Sequence, residues 1–235
     1  MISNSIKICF RNDRGLGDKV ATLFLLENLG IQTRAQSFVS GPTMDELCKT
    51  FYLEFVTFRE VLPDAIPPHA LGVGSNFGFG HPEYVCYLMR LLTVLIKSKG
   101  FTTQRLEALR LRRPVLQFRD EVCAQFDGRF SRRMGYPMIL ADIKHFIFKY
   151  ANGEPITIVG GIDTERYLGT EWNYYFSSAE NLIYRIFTAS RFLGCDSGMA
   201  HVAGALGKSG QVKMLIPMLQ LEQVYSLYPK IRIIP

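Results

Sequence analysis

The sequence predicts an α/β protein built from two parallel-sheet domains, and three observations predict it. Strand-like and helix-like segments alternate through both halves of the 235 residues. Each half holds a β-rich run that stops at a glycine turn and passes at once into a helical pattern, residues 5–18 in the first half and 192–201 in the second. Pro114 interrupts a basic stretch near the middle and marks a boundary between domains 1–113 and 114–235.

Taken in order, residues 5–10 (SIKICF) read as a first strand and residues 11–18 as a polar loop containing Gly15 and Gly17. Apolar residues at Val20, Leu23, Phe24, Leu26 and Leu29 then follow helical spacing. Strand, Gly-x-Gly loop and helix open a Rossmann-type unit. A third glycine is missing, because Ala21 and Thr22 follow, so a dinucleotide fingerprint is not supported. Asp18 stands at the helix start, where a carboxylate either caps the helix or takes a proton from an attacking alcohol.

Residues 32–39 read as a second strand. A helix over 43–52 follows, with Thr43 and Glu46 at capping-box spacing. Residues 55–61 suit a third strand and 70–73 a short fourth. Residues 72–81 (GVGSNFGFGH) form a glycine-aromatic loop in which Ser75, Asn76 and His81 can bond sugar or base edges while Phe77 and Phe79 stack. The alternative is a connector with no role. A long helix over 82–97 and a basic helix or linker over 103–112 complete the first half.

The second half opens with a strand at 115–118 and a charged loop at 119–133 carrying Arg119, Arg129, Arg132 and Arg133. An amphipathic helix over 137–150 leads to the strand 155–159, which ends in Gly160-Gly161-Ile162-Asp163-Thr164-Glu165. An aromatic edge strand at 172–176 and a helix at 179–190 lead into the passage 192–208 (FLGCDSGMAHVAGALGK). A buried strand stops there at Asp196, Ser197 is placed to cap a helix, and Gly198 leaves room for another molecule against the backbone. The free N–H groups of that first helical turn make a seat for phosphate. Strands at 211–216 and 230–234, with a helix at 219–228 between them, close the chain.

Hydrophobic content of 48% and charged content of 20% are those of an ordinary globular protein. The longest apolar stretch, 85–96, is broken by Arg90 and too short for a bilayer, and residues 6–10 are too short for the core of a signal peptide. A cytoplasmic protein without membrane insertion is the expectation. Five scattered cysteines without a C-x-x-C pair argue against disulfides and zinc. The formal net charge of +6 points to anionic partners.

Asp196-Ser197-Gly198-Met199-Ala200-His201 with the small-residue helix up to Lys208, together with Gly15-Leu16-Gly17-Asp18, resembles the ADP-heptose–lipopolysaccharide heptosyltransferase family. The resemblance implies a GT-B-like architecture of two Rossmann-type domains facing a cleft, here with a shortened C-terminus. The first would be the acceptor side and the second the nucleotide-sugar side. It implies that Asp18 deprotonates the acceptor hydroxyl and that Asp196 contacts the donor sugar. Ser197, Gly198 and Met199 would hold the diphosphate, with His201 beside them in a less defined role. A basic side chain after the 115–118 strand, for which Arg119 is the choice, would meet the phosphates. The turn at Gly161 would bring Glu165, or Asp163, to the ribose. Gly15, Gly17, Ser75, Asn76, Phe77 and His81 would line the acceptor side.

The implied activity is an inverting, metal-independent glycosyl transfer needing no cofactor beyond the nucleotide-sugar donor. The acceptor would be a glycan or lipopolysaccharide core, or another polyanion such as hydroxymethylated DNA. Two other classes stay open: a nucleotide- or nucleic-acid-binding protein that kept the fold without turnover, and a sugar-nucleotide epimerase.

Overall fold

The structure, a computed structural model, describes residues 6–10, 15–62, 87–115, 117–127, 138–160, 168, 171–215 and 219–234. The chain divides into two compact units, Met1–Arg113 and Pro114–Pro235. Both are α/β with parallel principal sheets.

The first unit runs β1 (Ile6–Cys9), α1 (Leu16–Thr33), β2 (Ser37–Ser40), α2 (Met44–Thr50), β3 (Phe51–Tyr52), β4 (Val56–Phe58), α3 (Tyr87–Ile96) and β5 (Arg110–Leu111). β1, β2 and β4 form a parallel sheet with β2 in the centre. β3 and β5 pair separately and antiparallel. α1 is buried along most of its length, from Lys19 to Gly30, and packs on α3 and β4. Two buried polar side chains on it tie down neighbouring chain segments. Glu27 accepts the Glu54 and Phe55 N–H groups at 2.8 and 3.1 Å. Asn28 accepts the Glu107 N–H at 2.7 Å and donates to the Glu107 carbonyl at 2.9 Å. Each leaves its buried polar atoms satisfied, as burial demands.

Several expectations for this unit change. The helix begins at Leu16 rather than Lys19, so Leu16–Asp18 belong to its first turn and Gly15, not Asp18, is the N-cap. Gln32 and Thr33 finish α1 instead of starting a strand. The capping box at Thr43 does not form. Thr43 has φ 63° and no side-chain cap bond, and its hydroxyl donates to the Pro42 carbonyl while accepting from Lys19 Nζ at 2.8 Å. Residues 103–112 hold one 3-10 turn, Thr103–Arg105, and then β5. The expected strand at 70–73 and the glycine-aromatic loop lie outside the described residues.

The second unit runs β6 (Val122–Gln125), α4 (Leu140–Tyr150), β7 (Ile156–Val159), β8 (Asn173–Tyr175), α5 (Ala179–Thr188), β9 (Arg191–Cys195), α6 (Gly198–Ala205), β10 (Gly210–Lys213), α7 (Leu219–Tyr225) and β11 (Ile231–Ile234). Six strands form one parallel sheet in the order β11-β10-β9-β6-β7-β8. Counted within the unit, that is the doubly wound order 3-2-1-4-5-6 read from the other edge. Residues of β6, β7 and β9 (Val122, Ala124, Ile158, Leu193) meet Ile143, Phe146 and Ile147 of α4 in the core.

Of the strand expected at 115–118, residues 115, 117 and 118 are not in a strand; among the described residues the first strand of this sheet is β6, inside what reads as a charged loop. Burial explains the exchange. A central strand is covered on both faces, and Val122, Cys123 and Ala124 are each fully buried whereas Phe118 is 62% exposed. Among the described residues no helix is long and apolar enough to cross a membrane.

Candidate functional site

The strand order reverses between β6 and β9, the first and fourth strands of the sheet. In open parallel sheets ligands gather at such a reversal, outside the carboxyl ends of the strands. β6 ends there in Gln125, and β9 ends in Cys195 and delivers Asp196, Ser197 and the start of α6. Gly194 lets the two strands close up, since a Cβ at that position would sit 2.3 Å from the Gln125 carbonyl oxygen. Local chemistry starts the helix as expected. Ser197 is its N-cap and its Oγ accepts the Ala200 N–H at 3.3 Å.

The turn is held by side chains from elsewhere in the unit. Tyr225 donates its hydroxyl to Asp196 Oδ1 at 2.7 Å and accepts the Ser197 N–H at 3.3 Å. Gln125 Oε1 accepts the Met199 N–H at 3.4 Å. The expectation that Ser197, Gly198 and Met199 all present open amides is therefore corrected. The Ser197 N–H is taken by a phenol and the Met199 N–H by a long bond, while the half-exposed Gly198 N–H has no partner among the described residues.

His201 lies one turn further along α6, buried against two tyrosines. Its ring stacks on Tyr225 at 4.7 Å with an 11° interplanar angle, and its Nδ1 lies 3.3 Å from the Tyr228 hydroxyl. Burial lowers its pKa to about 4, so the imidazole is neutral. Burial, then the charge and hydrogen bond of Asp196, push the Tyr225 phenol well above its usual range, so it remains a donor. Gly204 admits the Tyr228 ring, which a Cβ there would strike at 2.4 Å.

Arg119 is not brought to this turn. It precedes β6, and its N–H bonds the Thr188 carbonyl ahead of β9, on the amino edge of the sheet. The strand Val122–Gln125 lies between it and the reversal point, a separation of about 10 Å or more at about 3.3 Å per strand residue. That edge is built from ion pairs instead: Arg185 with Glu121 at 2.7 Å and Arg191 with Glu154 at 2.5 Å. Gly161, Asp163 and Glu165 lie outside the described residues, as do Arg129, Arg132 and Arg133.

In the first unit α1 opens at the carboxyl edge of its own sheet and is the next described element after β1. Gly15 is exposed, Gly17 buried, and Asp18 half-buried at the third helical position. Ser75, Asn76, Phe77 and His81 lie outside the described residues. A surface cleft of about 200 Å³ elsewhere in this unit is lined by Glu27, Arg34, Tyr52, Glu107 and Arg110. Most of its charges are already engaged: Glu27 on backbone, Arg110 on Glu107, Arg34 over Phe55. Neither the half-buried Cys48 nor the buried Cys123 offers a thiolate, since desolvation pushes both up to about 12. Among the described residues no group of three or more His, Cys, Asp or Glu side chains gathers as metal ligands.

Sequence reasoning does not single out Gln125, Tyr225 or Tyr228. Gln125 is hidden by the expectation of a strand at 115–118. The tyrosines, three residues apart around the end of α7, carry no motif that distinguishes them from core aromatics.

No family model and no curated protein matches the chain. Solved structures do. ADP-heptose lipopolysaccharide heptosyltransferase II of E. coli matches with a TM-score of 0.59 at 13% identity, over 97% of this chain and 90% of its own. The dodecameric iron-containing heptosyltransferase TibC in complex with ADP-D-β-D-heptose matches at 0.58 and 12%, over 90% of this chain and 58% of its own; TibC comes from enterotoxigenic E. coli. A glycosyl transferase of family 9 from Veillonella parvula matches at 0.56 and 12%, over 88% and 80%. With its doubly wound second sheet and its glycine-bounded helix starts, the chain has the fold of the heptosyltransferases and of glycosyltransferase family 9.

Proposed function

We propose that the protein is a glycosyltransferase that moves a sugar from a nucleotide-sugar donor to an acceptor hydroxyl. The observation that carries this is the reversal point of the second sheet, where Asp196 and the amino end of α6 meet Gln125. A diphosphate seated there faces the positive end of the helix dipole and the Gly198 N–H. A phosphate oxygen, being charged, outcompetes the neutral Gln125 amide for the Met199 N–H. In this reading the Asp196 carboxylate, held through Oδ1 by Tyr225, receives the sugar hydroxyls. Solved heptosyltransferases of the same fold support the donor class; one of them is described with ADP-D-β-D-heptose bound.

In this reading Asp18 takes the proton from the acceptor hydroxyl as its oxygen attacks the anomeric carbon. The bond to the diphosphate breaks as the new glycosidic bond forms, so one displacement inverts the anomeric centre. The helix end takes up the charge of the leaving group, a role that needs no metal ion. The acceptor is a polyanion, a glycan or lipid core or a hydroxylated nucleic acid, in keeping with the net charge of +6. Steep weakening of acceptor binding with salt, compared between duplex DNA and an anionic glycan, tells these apart.

The deciding measurement is nucleoside diphosphate release from a panel of nucleotide sugars, with and without acceptors. Release that depends on an acceptor supports transfer, and donor consumption without one indicates epimerisation. A second reading, a nucleotide-binding protein without turnover, draws on the Ser197 and Met199 amides already held by the protein. It expects nucleotide binding and no release under any acceptor.

A further inference from the structure

Among the described residues, the Tyr225 hydroxyl is the one side-chain group from outside the turn that bonds both Asp196 and Ser197. Its proton goes to Asp196 Oδ1 at 2.7 Å and its lone pair to the Ser197 N–H at 3.3 Å. The residue is fully buried, and phenylalanine would fill the same volume with nothing to desolvate. What the hydroxyl adds is therefore the geometry of the turn. The ring that carries it is itself fixed. It stacks on His201, and Tyr228 stands edge-on to both rings at 5.9 and 6.0 Å, seated against Gly204. Every link in this stack sits on α6 or between the end of α7 and β11.

We infer that Tyr225 is a positioning residue for the donor sugar: its hydroxyl orients the Asp196 carboxylate so that the intact nucleotide sugar is favoured over the bare nucleoside diphosphate. The inference rests on the nucleotide-sugar reading above and assigns a second residue to the same site. Tyr225 does not touch the donor. It acts by holding Oδ1 of the Asp196 carboxylate in one place, and by holding the Ser197 amide back from the phosphate, which leaves the Gly198 and Met199 amides to receive it.

The test is calorimetric titration of the full chain with a nucleoside diphosphate and with its sugar conjugate, the pair chosen as the tightest of a panel for the wild type. Tyr225→Phe is expected to bind the diphosphate within about threefold of wild type and to lose about tenfold of the preference for the conjugate, the scale of one charge-assisted hydrogen bond. Asp196→Asn is expected to lose the same preference, and Asp196→Asn with Tyr225→Phe no more than either alone. A parallel fall in both affinities, an unchanged preference, or additive losses in the double variant each overturn the inference. Where Tyr225→Phe does not fold, Asp196→Asn decides, because a sugar preference kept without that charge leaves the hydroxyl nothing to position. A wild-type chain that binds no nucleotide of the panel removes the donor reading itself, and this is seen before any variant is made.

Discussion

The two helix starts, Gly15–Asp18 in the first unit and Ser197–Met199 in the second, share a topology and differ in wiring. Both follow a parallel strand at the carboxyl edge of a sheet. The first opens on a glycine with no side-chain cap bond, and it carries its carboxylate at the third position of an 18-residue helix. The second is tied by Ser197, Gln125 and Tyr225 before any ligand arrives. The long helix needs little local help because its buried face holds it. The short one, eight residues of mostly small side chains, takes its precision from neighbours. On the proposed reading the first helix start carries the base and the second the donor cradle.

The largest effect expected from breaking this comparison is at Asp18. Asp18→Asn keeps shape and removes the base, and turnover should fall by about 10²–10⁴-fold, the range of general-base catalysis. Donor affinity, measured by titration, should stay within about threefold, since the donor is assigned to the other unit. An equal loss of both would move Asp18 out of the catalytic role.

The second expectation concerns acid. The folded-state pKa of His201 is depressed to about 4 by burial, against an ordinary value of 6.5. The stability it supports is thus present above about pH 6.5 and is lost as pH falls towards 4, because the unfolded chain takes up the proton first. Over that window the second unit should lose about 3 kcal/mol, since each tenfold difference in proton affinity between the folded and unfolded chain is worth about 1.4 kcal/mol. Among the described residues the ring meets two phenols, Tyr225 and Tyr228, with Asp196 beyond the first of them. His201→Phe keeps the stack on Tyr225 and should flatten the slope in denaturant melts at pH 7, 5.5 and 4.5. A slope that persists unchanged places the acid sensitivity elsewhere.

How much of this is legible in the chain differs between the same two regions. The strand, serine cap and helix at 191–205 follow from local residues alone: an apolar run, a strong N-cap, then alanines and glycines that pack closely. The groups that wire the turn do not, because Gln125 and Tyr225 lie 74 and 28 residues from their partners, Met199 and Ser197. Only the sheet order brings them together. β6 escapes a reading of the sequence for a related reason. Its four residues, VCAQ, preceded by Asp120 and Glu121, show no alternation because both faces are buried. In the first unit the discrepancy is smaller and local: Leu16 and Gly17 read as loop because glycine is a poor helix former, yet the packed body of α1 carries the first turn with it.

A smaller effect tests the wiring of the second turn. Gln125→Glu sets a negative charge against the Met199 N–H at the amino end of α6. It should stabilise the unliganded protein by about 0.5 kcal/mol through the helix dipole and weaken diphosphate binding about tenfold by competition for the same amide. Calorimetry and a melting curve on one sample read the two signs together. If affinity and stability move in the same direction, the amide is not the phosphate seat.

The smallest effect is expected at Arg119, and its smallness is informative. The resemblance to heptosyltransferases asks for a basic group at the phosphates, and this arginine is the nearest to the strand expected at 115–118. The sheet puts it instead on the amino edge, bonded through its backbone to Thr188 beside Phe118 and Phe187, whose rings lie 5.8 Å apart under Lys208. With the length of β6 between them, about 10 Å or more and beyond one screening length at physiological salt, its exposed charge is largely screened at the strand reversal. Arg119→Ala should therefore leave diphosphate affinity within about twofold and stability within about 0.5 kcal/mol, as for other exposed side chains outside a network. A tenfold loss of affinity in that variant would mean that the diphosphate sits on the opposite edge of the sheet, and the assignment of the Ser197 turn would fail with it.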